Sequence, residues 1–207
     1  MSGSREDRSA LPIAMFDSGV GGLTVLHECL VSLPEESFLY LGDTGHFPYG
    51  TKSPEELRER AAAITEYLIE SGTKLLVVAC NSATAAAGPL IHEMGDAAGI
   101  PVVTVIGPEA EIAAAITENG RVGVLATPAT VASGAYRDAL DAAGRPLTVT
   151  EVSAPDLAPL IQVDLSFDDE LIDAVRGYSA PLKDAGVDTL ILGCTHYPLI
   201  APAIQRI

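Results

Sequence analysis

Residues 75–85 read LLVVACNSATA. An apolar run passes into a small residue, a thiol and then two hydrogen-bonding side chains, Asn81 and Ser82. Short continuous apolar runs that end in small or polar residues are the mark of strands buried on both faces of a parallel sheet. The residues that follow, SATAAAG, suit a helix. The same pattern returns at residues 189–199, TLILGCTHYPL, where Cys194, Thr195 and His196 close an apolar run 194 − 80 = 114 residues after Cys80. Strand, small residue, cysteine, two polar side chains: the repeat reads as a diverged duplication.

The rest of the chain fits around these two stretches. LPIAMFD, SFLYLGD, PVVTVIG, RVGVLAT and PLTVTEV are further apolar runs of strand length. Helical segments separate several of them. SPEELRERAAAITEYLIESG (residues 53–72) is the clearest: Ser53 and Glu56 form a capping box, Pro54 suits the first helical position, and Leu57, Ala61, Ile64 and Leu68 share one face before Gly72. Strands alternating with helices predict an α/β fold with mainly parallel sheets, which binds ligands at the carboxyl ends of its strands. Those ends are where the runs turn polar.

Composition narrows the function. The chain has 207 residues, 48% of them hydrophobic, enough for a sizeable core. Its 12 basic and 28 acidic residues give a net charge of −16, which repels nucleic acid and anionic membranes. The sequence contains no apolar stretch of membrane-spanning length, and its N-terminus, MSGSREDRSALP, is polar and charged. A cytoplasmic protein with a disordered leader over residues 1–11 is expected. Three cysteines, an odd count without a CxxC pair, suit a reducing compartment.

Cys29, in LTVLHECLVSL, reads as a small helix hydrophobe. Cys80 and Cys194 differ, because each lies between a strand end and a segment able to continue as a helix. Helix N-termini favour anions, so they stabilise a thiolate and can hold a substrate carboxylate. A zinc site is not expected, because it would want more ligands: His27 and His92 fall in helices, His46 in a loop, and His196 lies beside Cys194. What remains is a pair of acid–base groups, a thiolate that removes a proton and a thiol that returns one. On opposite faces of one carbon they invert it.

Rival signals fail. FDSGVGGLTVL (residues 16–26) resembles a dinucleotide turn, but Thr24 stands where the third glycine of GxGxxG belongs. GHFPYGTKS has one residue too many for a P-loop, Thr51, and Phe47, Pro48 and Tyr49 are too bulky to cradle phosphate. Lys52, Lys74 and Lys183 mark no pyridoxal site.

Five motifs in order, FDSGVGGLTVL, GDTGHFPYGTKS, ACNSATA, GVLATPATVASGAY and GCTHYPL, resemble those of the glutamate racemases of the aspartate/glutamate racemase superfamily, from about Ile13 to Pro198. The resemblance implies two pseudo-symmetric α/β lobes, residues 12–106 and 107–207, with the active site in the cleft between them. It implies cofactor-independent racemisation of glutamate for peptidoglycan precursors, with Cys80 and Cys194 as the two bases, Asp17 assisting near Cys80 and His196 near Cys194. Asp17, Ser18, Tyr49, Gly50, Asn81, Ser82, Thr127, Thr130, Thr195 and His196 match substrate-binding positions. Hydroxyls, amides and backbone N–H groups hold carboxylates without adding strong acids. Asp17 also reads as a cap of the FDSG turn. No metal and no cofactor are implied; the partner is small-molecule glutamate, with a homodimer as the one macromolecular assembly kept open.

Two departures stand out. The segment resembling CPLFVPLVE reads APDLAPLIQ here, so an acidic residue becomes Gln162, which cannot titrate. The sequence also ends at Ile207, before the family's return to the first lobe, so a truncated chain with exposed apolar surface on that lobe is expected. An aspartate racemase or another two-cysteine isomerase is the alternative within the superfamily, against which the DSGxGG and PYG motifs weigh. An inactive binding or assembly module is the alternative from another class.

Overall fold

The computed structural model describes residues 8–207, so residues 1–7 of the expected leader lie outside the described residues. Residues 8–11 pack onto the first lobe. Arg8 donates to the carbonyls of Ala98 and Gly99, and Lys74 Nζ donates to the Ser9 carbonyl.

In chain order the elements are β1 (Ile13–Asp17), α1 (Leu23–Ser32), β2 (Phe38–Gly42), α2 (Pro54–Glu70), β3 (Leu75–Val78), α3 (Asn81–Ala98), β4 (Val102–Thr104) and α4 (Ile106–Ile116). They continue with β5 (Arg121–Ala126), α5 (Pro128–Ser133), α6 (Ala135–Asp141), β6 (Thr148–Ser153), α7 (Leu157–Val163), α8 (Asp169–Asp184), β7 (Thr189–Gly193) and α9 (Ala201–Arg206). Short 3-10 turns cover Thr44–His46, Tyr49–Thr51 and Tyr197–Ile200.

The strands form two sheets, ordered β2-β1-β3-β4 and β6-β5-β7, with parallel pairing throughout. The topology extends the duplication read from the cysteines. In each sheet the first strand of the lobe, β1 or β5, lies between the second and the third, so β3 corresponds to β7. Cys80 and Cys194 therefore leave equivalent strands by equivalent ends, beside the ends of β1 and β5. The lobes differ in β4, which has no counterpart among the described residues.

Burial follows the sequence pattern. In α2 the Ser53 hydroxyl accepts from the Glu56 N–H at 3.2 Å, Pro54 opens the helix, and Leu57, Ala61, Ile64 and Leu68 are buried against Leu76, Val78 and Ile91. On the second sheet, Leu125 packs with Leu157, Leu171, Val175 and Tyr197. Its other face packs Val122 and Val124 against Ile106, Ala110, Tyr136 and Leu140, so α4 belongs with the second sheet. By contrast, α1 has no fully buried residue and exposes Leu23, Leu30 and Val31.

Two expectations are corrected. The run PVVTVIG is strand only over Val102–Thr104; Val105 is already helical and caps α4. Cys194 does not open a helix as Cys80 does. Its N–H donates to the Leu192 carbonyl, its carbonyl accepts from the Tyr197 N–H, and a 3-10 turn with Pro198 in its first two positions precedes α9. Proline suits a first helical position and removes a donor from anything longer.

Candidate active site

Cys80 is the N-cap of α3, and its sulfur accepts from the Ala83 N–H at 3.4 Å. Cys194 sits in the tight turn after β7. Both are buried, and both line one cavity of about 20 Å³ between the sheets, together with Ser18, Tyr49, Gly50, Asn81, Ser82, Thr127, Thr195 and His196. That is room for about one water. Ser18 follows β1 and Thr127 follows β5, so the four equivalent strand ends meet at this cavity.

Glycines let the lobes come this close. A Cβ on Gly50 would fall 2.5 Å from Thr127 Cβ, and one on Gly21 would fall 2.5 Å from both His196 Nδ1 and Thr195 Oγ1. A buried hydroxyl triangle also joins the lobes: Ser82 lies 2.9 Å from Thr127 and 3.2 Å from Thr130, which are themselves 3.1 Å apart. Thr130 acts through the other two and does not line the cavity.

Asp17 likewise lies behind the wall. Its Oδ2 accepts from the N–H groups of Gly19 and Gly22 at 3.0 Å each, the turn-capping role, while its Oδ1 accepts from the Thr195 hydroxyl at 3.2 Å across the interface. The Tyr49 hydroxyl donates to Asp43 at 2.7 Å. His196 faces two partners: Nδ1 lies 3.8 Å from the Cys194 sulfur and Nε2 lies 2.7 Å from Gln162 Oε1. The Phe47 ring tilts against the imidazole with centroids 5.3 Å apart. Gln162 thus belongs to the site in spite of its missing charge.

The electrostatics correct the expectation of a resting thiolate. Burial pushes the Cys80 thiol up to about 12, and the charge of Asp17 adds to the rise; the Ala83 N–H and the hydroxyl and N–H of Ser18 pull the other way and lose. Burial raises Cys194 as well, against the backbone N–H groups of His196 and Tyr197, with Asp17 and Cys80 adding to the rise. Both sulfurs are therefore held as thiols in this structure. Burial also lowers the His196 pKa, opposed by Asp17, so its ring is neutral.

Two residues not named among the expected site residues support the wall. Glu109 on α4 and Tyr136 on α6 form a cluster with Asn81: the Tyr136 hydroxyl donates to Glu109 Oε2, and Asn81 Nδ2 donates to Tyr136 Oη at 2.7 Å and to Glu109 Oε2 at 3.2 Å. Burial raises Glu109 from the ordinary 4.5 to about 7, although both donors favour its charged form. Tyr136 ends the motif GVLATPATVASGAY, so its place in a motif was the available signal; Glu109 carried none. Among the described residues, no group of three or more His, Cys, Asp and Glu is placed to hold a metal ion.

The family described as Asp/Glu/Hydantoin racemase matches residues 25–207. The chain belongs to this family. Within it, the chain is similar to the glutamate racemase of Acidothermus cellulolyticus, 47% identical over 197 residues that cover 95% of this chain and 73% of that protein. Among solved structures, a glutamate racemase isoform from Bacillus anthracis superposes with a TM-score of 0.89 at 39% identity, covering 95% of this chain and 73% of that one. The glutamate racemase of Francisella tularensis in complex with D-glutamate superposes with a TM-score of 0.90 at 33% identity, covering 96% and 73% respectively. This amino-acid racemase shares with them the two-lobed α/β architecture.

Proposed function

We propose that the chain interconverts L- and D-glutamate without a cofactor, by passing a proton between two thiols, and so supplies D-glutamate for peptidoglycan precursors in the cytoplasm. One observation carries the reading: two buried cysteines on equivalent strands of duplicated lobes converge on a single cavity walled by hydroxyls and amides. All three cysteines are free, as a reducing compartment keeps them.

The α-proton of an amino acid is a very weak acid, so donors must already face the carboxylate when carbanion character develops. Ser18, Asn81, Ser82, Thr127 and Thr195 supply hydroxyls and an amide, and the PYG turn supplies Tyr49 and Gly50. One sulfur, as thiolate, takes the α-proton; the other, as thiol, gives its proton to the opposite face. The C–H bond broken on one side is replaced by one formed on the other, and the thiol and thiolate exchange places. The enzyme therefore has two protonation forms, one for each enantiomer.

Making the thiolate is the expensive part. A thiol held at about 12 costs roughly 7 kcal/mol to ionise at neutral pH. The substrate brings a compensating cation: its ammonium group offsets the charge of Asp17, which otherwise raises both thiols. A cavity of about 20 Å³ cannot admit glutamate, so the lobes part for entry and close around it.

Cys80→Ser and Cys194→Ser test the reading. Each variant is expected to fold with an unchanged circular dichroism spectrum and to lose racemisation of L- and D-glutamate, while the parent protein turns over glutamate in preference to aspartate. Retained racemisation by both single variants, or a preference for aspartate, would overturn it.

A further inference from the structure

The amide at position 162 gives the site a property that its sequence conceals. The Gln162 carbonyl oxygen carries only lone pairs, so at 2.7 Å from His196 Nε2 it can only accept, and the ring proton must sit on Nε2. In a neutral imidazole the other nitrogen then bears a lone pair. That nitrogen, Nδ1, lies 3.8 Å from the Cys194 sulfur, within the reach of a sulfur hydrogen bond.

We infer that Gln162 is a positioning residue: it fixes His196 as the neutral tautomer protonated on Nε2 and so presents Nδ1 to the Cys194 thiol as a proton acceptor. The inference rests on the proposed racemisation for its use, but not for its geometry. Three observations converge on it. Both ring nitrogens have a partner, and with the amide oxygen toward Nε2 an uncharged ring satisfies both. The Phe47 ring, 5.3 Å from the imidazole, holds the ring plane from the side. Gly19 leaves space for that ring, since a Cβ there would lie 3.1 Å from Phe47 Cδ2. Burial of His196 keeps the ring uncharged until the proton arrives.

The proton balance closes without a co-reactant. The S–H bond of Cys194 breaks and an N–H bond forms at Nδ1, leaving thiolate and imidazolium. The thiolate takes the substrate's α-proton in one direction; in the other, the Cys194 thiol gives its proton to the carbanion and the imidazolium returns its own to the sulfur. A carboxylate in place of the amide would also accept from Nε2, and by favouring the charged ring it would make Nδ1 more basic. Cys80 has a different setting: its sulfur accepts from the Ala83 N–H and from Ser18, and its charged neighbour is the Asp17 carboxylate. The two halves of the site are thus activated differently.

The test is long-range 1H–15N correlation spectroscopy of the unliganded protein at neutral pH, with the His196 ring assigned by its loss in His196→Asn. Expected is a ring protonated on Nε2 with an unprotonated, pyridine-like Nδ1. In Gln162→Leu that signature gives way to a tautomer mixture and kcat falls about 10-fold or more with KM little changed; Gln162→Glu, which keeps an acceptor oxygen, recovers most of the loss. A wild-type ring protonated on Nδ1 or doubly protonated, or a Gln162→Leu variant that keeps both signature and kcat, would overturn the inference. Because the spectrum needs no substrate, the correct signature in a protein that racemises nothing would refute the proposed function alone.

Discussion

Replacing Gly21 by alanine adds one methyl group where the lobes meet. Gly21 has no positive φ, so the added Cβ is conformationally tolerable and its cost is steric. It would sit 2.5 Å from His196 Nδ1 and Thr195 Oγ1 and 2.7 Å from His196 Cε1, about 1 Å inside ordinary contact. The neighbours cannot swing away freely, because Gln162 holds the imidazole and Asp17 holds the Thr195 hydroxyl. Overpacking of this kind costs about 1–3 kcal/mol. At about 2–4 °C per kcal/mol for a chain of this size, the melting midpoint should fall by roughly 2–12 °C. Displacing His196 by about 1 Å should lower kcat/KM roughly 100-fold. Thermal unfolding followed by circular dichroism, alongside steady-state kinetics, checks both numbers. Gly177→Ala is the internal control: it lies in α8 with nothing within 4 Å of the new Cβ, so it should stabilise by about 0.5–1 kcal/mol. If Gly21→Ala left midpoint and kcat/KM unchanged, the lobes would not meet at Gly21 and His196.

Further outcomes follow from the buried polar groups. Glu109 is raised in the folded protein, so its contribution is fully present below the ordinary 4.5 and is lost as pH climbs through about 7, a loss on the order of 3 kcal/mol. Gln cannot titrate, so Glu109→Gln should gain on the wild type in melting midpoint between about pH 5 and pH 8; parallel profiles would refute the assignment. Thr130→Val keeps the shape but removes the hydroxyl shared by Ser82 and Thr127, so it should cost about 1 kcal/mol in denaturant titration and raise KM. An unchanged KM would separate Thr130 from the binding wall.

All seven apolar runs became strands: β1, β3 and β5 are largely buried and have no polar face, while the partly buried edge strands β2, β4 and β6 were legible from their apolar and β-branched residues. The paired thiols were legible because the duplication repeats their surroundings. What sequence could not convey is partnership across the interface. Asn81 finds Glu109 28 residues away and Tyr136 55 residues away, and no local period links them. Gln162 looked like a lost acid in a single line of sequence, yet it meets the ring of a residue 34 positions on, where an amide oxygen has its own use. The thiol electrostatics were misread for a related reason: a helix N-terminus is a local feature and lowers a pKa, whereas burial depends on the whole fold and here outweighs it.

The central claim is that two thiols act on opposite faces of one carbon, and heavy water tests it most directly. L- and D-glutamate are incubated separately with the protein in deuterium oxide, and at low conversion the α-position of substrate and product is read by NMR and mass spectrometry. Two bases predict that the product enantiomer carries deuterium from the start while the remaining substrate keeps its proton, in both directions. Deuterium appearing in unconverted substrate as fast as in product, or protium carried into the product, would mean that one group serves both faces, and the account would fail.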